Sequence, residues 1–196
     1  MILIELIATI LLVDFGSGFI HWAEDTFGTE DTPVLGNRII NPNVLHHTNG
    51  YAFVRNSWFH SSRDLLYAGV VLLAVCWLID FLTWHVFLSI FLMVNANQIH
   101  KWSHLSPARI PVLIKILQKL RILQSPRHHA NHHKGDKNTH YCVITDFTNP
   151  VLDKLGFWRW LESLLVPPFK APRRIDIRAK GKTRELHWSV SKTTSM

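Results

Sequence analysis

Residues 65–94 read LLYAGVVLLAVCWLIDFLTWHVFLSIFLMV, an apolar run with no Lys or Arg and with Asp80 as its single acidic residue. As one helix these 30 residues would be about 45 Å long at ~1.5 Å per residue. That is too long for one crossing of a hydrocarbon core near ~30 Å and too short for two. The run predicts a tight hairpin turning near Asp80–His85. Its arms extend past the apolar core, one starting near Ser62 and the other running to about Trp102. A second apolar stretch, Ile2–Ile20, opens the chain without a basic leader, so it is expected as a retained span rather than a cleaved signal.

The whole chain has 196 residues, 47% of them hydrophobic, with a mean hydropathy of +0.09. The length suits one domain, and the hydropathy excludes intrinsic disorder. Its 21 basic residues all fall outside residues 1–20 and 64–99. With three spans, residues 22–61 and everything after residue 100 share one side of the membrane, which the positive-inside rule makes cytoplasmic. Twelve of the 13 histidines lie on that side, and His85 falls at the opposite tip. Two cysteines, Cys76 and Cys142, exclude a disulfide scaffold and a Cys-rich metal site.

Two further stretches, Ile110–Leu123 and Asn149–Val166, mix apolar, basic and aromatic residues at helical spacing. Such helices suit the headgroup interface. After Pro167-Pro168 the chain turns polar and basic, with Arg173, Arg174, Arg178, Lys180, Lys182 and Arg184. That tail is expected to be loose and drawn to anionic lipid. It carries no nucleic-acid-binding motif. The expected architecture is an all-α integral membrane protein of about three transmembrane helices plus interfacial amphipathic helices, with a His-rich cytoplasmic face. Residues 1–166 would form the membrane domain and residues 167–196 a flexible tail.

The histidines carry the chemistry. His46 and His47 are adjacent, and His100 and His104 form HxxxH at the end of the third span. His128, His129, His132 and His133 form HHxxHH, and His21 closes the first span. Residues at i and i+4 share a helix face, so HHxxHH presents its pairs 128/132 and 129/133 on adjacent faces, toward two ions. Imidazole suits Zn, Cu, Fe and Ni alike, so number has to decide. Nine imidazoles exceed one zinc site and match two octahedral ions with open positions. The Glu-x-x-His pairs and bridging carboxylates of soluble di-iron bundles are not apparent. An all-imidazole pair at a membrane surface points to desaturase or hydroxylase chemistry.

Asp14 and Asp25 lie on the His21 face of the first span, and Asn97 and Gln98 precede His100. Each could accept from the second ring N–H of a ligand and orient it. Asp14 is, in addition, an ionisable group inside an expected span, a functional signal in itself.

The string Asp14-Phe-Gly-Ser-Gly-Phe-Ile-His21-Trp-Ala-Glu-Asp25 resembles the opening signature of the Kua/CarF-type lipid desaturases. The likeness continues at His46-His47, Asn97-Gln-Ile-His-Lys-Trp-Ser-His104, His128-His-Ala-Asn-His-His133 and Gly156-Phe-Trp-Arg-Trp-Leu-Glu162. It spans about residues 12–165. The family includes plasmanylethanolamine desaturases and, more distantly, plant palmitate trans-3 desaturase.

The resemblance implies two Fe ions, O2 as co-substrate and a membrane phospholipid as substrate. By position it makes His21, His46, His47, His100, His104, His128, His129, His132 and His133 iron ligands or their close support. The sequence departs from the family where Asn56 follows Val54-Arg55, a place often taken by His, so that either His60 stands in or one ligand is missing; His140 occupies a family Tyr position.

The expected reaction is formation of a C=C bond near the headgroup end, foremost the conversion of plasmanyl to plasmenyl lipid. The alternatives are acyl-chain desaturation, di-iron lipid hydroxylation, and a non-enzymatic His-rich metal- or haem-binding protein. Without a flavin or haem motif, electrons must come from a partner of the ferredoxin or cytochrome b5 type, drawn by the basic face. The bacterial inner membrane and the endoplasmic reticulum both offer such a cytoplasmic face.

Overall fold

The computed structural model describes residues 1–134 and 137–169. Among the described residues there are helices and no strand. The first, α1 (Ile2–Phe27), outruns the expected span end at Ile20. Its buried residues Asp14, Gly18, His21, Trp22 and Asp25 recur at helical spacing on one face, while Leu3, Ile4 and Leu12 face outward. After a π turn at Gly36–Ile40 come α2 (Asn41–Thr48) and α3 (Gly50–Val54).

The expected hairpin is present as α4 (Trp58–Leu78) and α5 (Trp84–His104). The Ser57 hydroxyl caps α4 by accepting from the His60 N–H at 3.2 Å. The turn at 79–83 puts Asp80 at φ 55°, the left-handed conformation Asp tolerates better than most residues. Gly69 lets the arms close, because a Cβ there would come within 2.9 Å of Ile90 Cγ2. Cys76, Val86, Ile90 and Val94 fill the seam.

The amphipathic segments are shorter than expected. Of Ile110–Leu123 only α6 (Val112–Lys119) is helical, because Pro111 precedes it and Arg121 turns to φ 63°. Asn149–Val166 breaks into α8 (Thr148–Lys154) and α9 (Phe157–Phe169) at Gly156, whose φ of 64° suits glycine. α9 continues through Pro167 and Pro168, across the expected domain boundary. The basic tail beyond residue 169 lies outside the described residues.

Two helices, α1 and α4, are long and apolar enough to cross a membrane, with mean hydropathies of 2.0 and 1.4. Large side chains on them stay exposed, such as Val71 at 62% and Leu78 at 74%. Water-soluble monomers rarely expose apolar surface on that scale, so the exterior is that of a membrane protein. α5 has the same length as α4 but ends in the polar run Asn95 to His104. A compact aromatic core of Trp22, Tyr141, Cys142 and Trp158 packs between α1, α9 and an extended segment at 141–145. Cys76 and Cys142 are both free.

Candidate metal centre

Four helices bring their histidines to one place at the end of the bundle. α1 supplies His21, α2 supplies His46 and His47, and α5 supplies His100 and His104. The fourth, α7 (Pro126–His132), carries His129 and His132, with His133 at its C-cap. Ser125 fixes the start of α7 by accepting from the His128 N–H at 3.2 Å. The ring nitrogens form two sets, one of His46, His100, His104, His129 and His133 and one of His21, His46, His47 and His132. His46 belongs to both.

The spacing in the first set is that of a cage rather than of hydrogen bonds. His129 Nε2 lies 2.9 Å from Nε2 of His100, of His104 and of His133. One ring nitrogen carries at most one proton, so it cannot make three hydrogen bonds at once. Ligand atoms ~2.1 Å from a shared metal stand about 3.0 Å apart at right angles and about 3.4 Å apart in a tetrahedron. The set therefore fits a cation.

In the second set His132 Nε2 lies 3.1 Å from His47 Nε2. Asp25 joins it from the side of the ligating atoms. Its Oδ2 is 3.8 Å from His21 Nε2, 3.5 Å from His47 Nε2 and 3.6 Å from His132 Nε2. The sequence suggested a carboxylate behind a ring and an all-imidazole site; the carboxylate instead faces the same point as the three Nε2 atoms. Asn43 holds it there, donating from Nδ2 to Asp25 Oδ1 at 2.9 Å. Nothing in the sequence motifs singled out Asn43, although it lies one helical turn before His46 and His47.

Backbone carbonyls, not carboxylates, sit behind the rings. His21 Nδ1 pairs with Tyr141 O at 3.0 Å, His132 Nδ1 with Thr139 O at 2.8 Å, and His46 Nδ1 with Asn43 O. A carbonyl only accepts, so each Nδ1 carries the proton and each Nε2 is the atom that could hold a metal. Burial holds the imidazoles of His46, His129 and His132 well below their usual pKa range and lowers that of His133 to about 3. All are therefore neutral near pH 7, the state that binds metal.

Asp14 does not orient a histidine. It accepts from Ile144 N at 2.8 Å and from the hydroxyls of Thr145 and Thr148 at 2.6 Å each. Ser17 Oγ accepts from Val143 N at 3.1 Å. With the His21–Tyr141 bond these contacts lace segment 141–145 along α1. Gly18 makes the approach possible, since a Cβ there would sit 2.5 Å from Cys142 Sγ. Asn97 donates to Ser61 O at 2.6 Å, also away from the rings, and Gln98 is half-buried on α5.

Among the described residues, the remaining histidines stand apart from both sets. His128 Nε2 is 3.1 Å from Asn149 Nδ2, and its ring stacks edge-on against His140. His140 Nδ1 lies 3.0 Å from Asp153 Oδ2. His60 is exposed at the start of α4. His85 Nε2 meets Glu5 at 3.4 Å, at the opposite end of the bundle.

A cavity of about 560 Å³ opens beside the cage between α1, α4 and α5. His21, His46 and His100 line one part of it, and Val13, Leu65, Leu72 and Met93 line its apolar trunk. Its size lies within the ~300–1,000 Å³ usual for ligand sites.

A family model described as a lipid desaturase domain matches residues 10–174. A plasmanylethanolamine desaturase of Myxococcus xanthus is 33% identical over 180 residues, covering 87% of this chain and 63% of the relative. Plasmanylethanolamine desaturase 1 of Mus musculus is 30% identical over 177 residues, covering 84% and 65%. The chloroplastic fatty acid desaturase 4 of Arabidopsis thaliana is 31% identical over 155 residues, covering 78% and 48%. The chain thus spans less than two thirds of the length of these relatives. No solved structure matches it.

Proposed function

The chain belongs to the lipid desaturase family, and from that premise we propose that it is a membrane-bound di-iron enzyme converting plasmanyl to plasmenyl phospholipid. The observation that carries this reading is the pair of buried nitrogen sets meeting at His46 beside an apolar cavity. One iron would be held by His100, His104, His129 and His133. The other would be held by His21, His47 and His132 with the Asp25 carboxylate. His46 stands between them. His128, His60 and His140 fall outside this ligand set.

The iron pair would supply the O2 chemistry: O2 takes one hydrogen from each of two adjacent methylenes and is reduced to two waters with two further electrons and two protons, leaving one C=C bond. The protein does the rest. The trunk of Leu65, Leu72 and Met93 holds the chain and excludes water, and the Nδ1-to-carbonyl bonds keep each Nε2 aimed inward. Because the trunk meets the histidines where α1 and α5 approach their polar ends, the reacting carbons belong to the headgroup end of the chain.

In this reading α1, α4 and α5 are three spans, and the histidine face and tail 167–196 are cytoplasmic by the positive-inside rule. The desaturase domain runs from the start of α1 at least to the end of α9 at Phe169. α6 and α9 lie in the interface, where Val112, Leu113, Ile116, Trp160 and Leu164 are exposed. The basic face receives an acidic ferredoxin or cytochrome b5.

The test is metal content per chain in mild detergent, followed by lipid analysis of membranes expressing the protein. About two irons and new vinyl-ether lipid support the reading. One zinc overturns the metal assignment, and an acyl double bond or a hydroxylated lipid overturns the ether assignment.

A further inference from the structure

The third part of the cavity is charged and takes no part in the metal centre. Arg38, Arg63, Asp64 and Glu24 all line it. Arg63 stands on α4 immediately before the apolar trunk begins at Leu65, and its Nε is buried without a hydrogen bond. Arg63 is half-buried overall, and a buried guanidinium nitrogen without a partner is costly unless an acceptor reaches it. Arg38 reaches over from the π turn before α2 to Asp64, with Nη2 and Oδ1 2.5 Å apart. That pair is 45% and 31% exposed, so it contributes little to stability and opens at small cost.

Two guanidiniums on the wall of one cavity offer the paired N–H donors that a phosphodiester accepts. Two carboxylates bring the charged rim to net neutrality, the counterpart of a zwitterion rather than of a net anion. The sequence marks neither Arg63 nor Arg38, since neither lies in a motif.

We propose that this rim is a phospholipid headgroup site: Arg63, joined by Arg38, holds the phosphodiester, while the chain to be modified runs along the trunk toward His21, His46 and His100. The site rests on the lipid reading above and gives it a recognition element. It selects phospholipids over neutral glycerolipids and admits zwitterionic headgroups.

Binding to the metal-free full chain in detergent micelles tests the site independently of turnover. The probes are dioctanoyl phosphoethanolamine, dioctanoylglycerol and inorganic phosphate. The expected result is saturable phospholipid binding that Arg63→Gln weakens about tenfold or more and Arg38→Gln weakens less. Arg63→Lys recovers part of it, because charge is kept but the fork is lost. Dioctanoylglycerol binds weakly and equally to all variants, which also shows that the variants are folded. Equal phospholipid binding by wild type and Arg63→Gln overturns the site. So does inorganic phosphate displacing the phospholipid at equal concentration, which identifies a soluble phosphate as the ligand. Because no metal or product enters the assay, loss of the desaturase reading leaves this result standing, and the reverse holds too.

Discussion

Asp25 Oδ2 lies 3.5 Å from His47 Nε2, on the ligating side of the ring. A carboxylate placed there adds an oxygen donor to a set of imidazole nitrogens. Asp25→Ala is therefore expected to lower the metal load from about two to about one per chain. Asn43→Ala, which removes only the contact to Oδ1, should weaken retention of that metal without abolishing it. Elemental analysis with iron spectroscopy reads both. A full metal load in Asp25→Ala would show that the carboxylate is not a ligand.

His128 and His129 are neighbours with opposite fates. His129→Ala removes the nitrogen that three other Nε2 atoms surround, so one metal should be lost. His128→Ala removes a partner of Asn149 and should keep both metals. His60→Ala should keep both as well. Metal content of the three variants side by side checks this assignment, and loss of metal in His128→Ala counts against it.

Acid should destabilise the metal-stripped protein. Unfolded histidine titrates near ~6.5, whereas burial keeps His129 and His132 far lower and His133 at about 3. Between those values the unfolded chain binds protons that the folded chain refuses, so stability rises with pH through the window. It is fully present above about pH 6.5 and drains away as pH falls toward 3. Each such imidazole steepens the slope by at most about 1.4 kcal/mol per pH unit. Thermal unfolding in detergent from pH 7.5 to 4.5 should show a falling Tm, and a flat profile contradicts the burial argument.

Gly18→Ala should cost about 1–3 kcal/mol, the range for forcing an extra methyl into a packed interior. The added Cβ would meet Cys142 Sγ at 2.5 Å and Cys142 N at 3.0 Å. Displacing segment 141–145 also pulls the Tyr141 carbonyl from His21, so metal retention should fall with Tm. Gly16→Ala, two residues away with nothing within 4 Å, should leave both unchanged.

The hairpin was legible in the sequence because 30 apolar residues leave few ways to satisfy a bilayer. The histidine clustering was legible too, because HxxxH and paired His carry their geometry locally. Less visible was how HHxxHH divides. α7 has only seven residues, and periodicity cannot say which of its faces meets the bundle. The true partners of Asp14 are 130 to 134 residues away, in a segment with no periodic signal, so a nearby histidine looked the natural partner. The break at Gly156 was a readable glycine signal hidden by the apolar residues on either side. Arg38 and Arg63 acquire meaning only once α4 and the π turn enclose one cavity.

The lacing of segment 141–145 along α1 also has a consequence for biogenesis. The carbonyl of Tyr141 that orients His21 follows it by 120 positions. The helical hairpin can insert and pair by local contacts, whereas this closure waits on a long loop and forms slowly. The aim of His21 toward the proposed metal centre is thus completed only when segment 141–145 docks on α1, after the hairpin has paired.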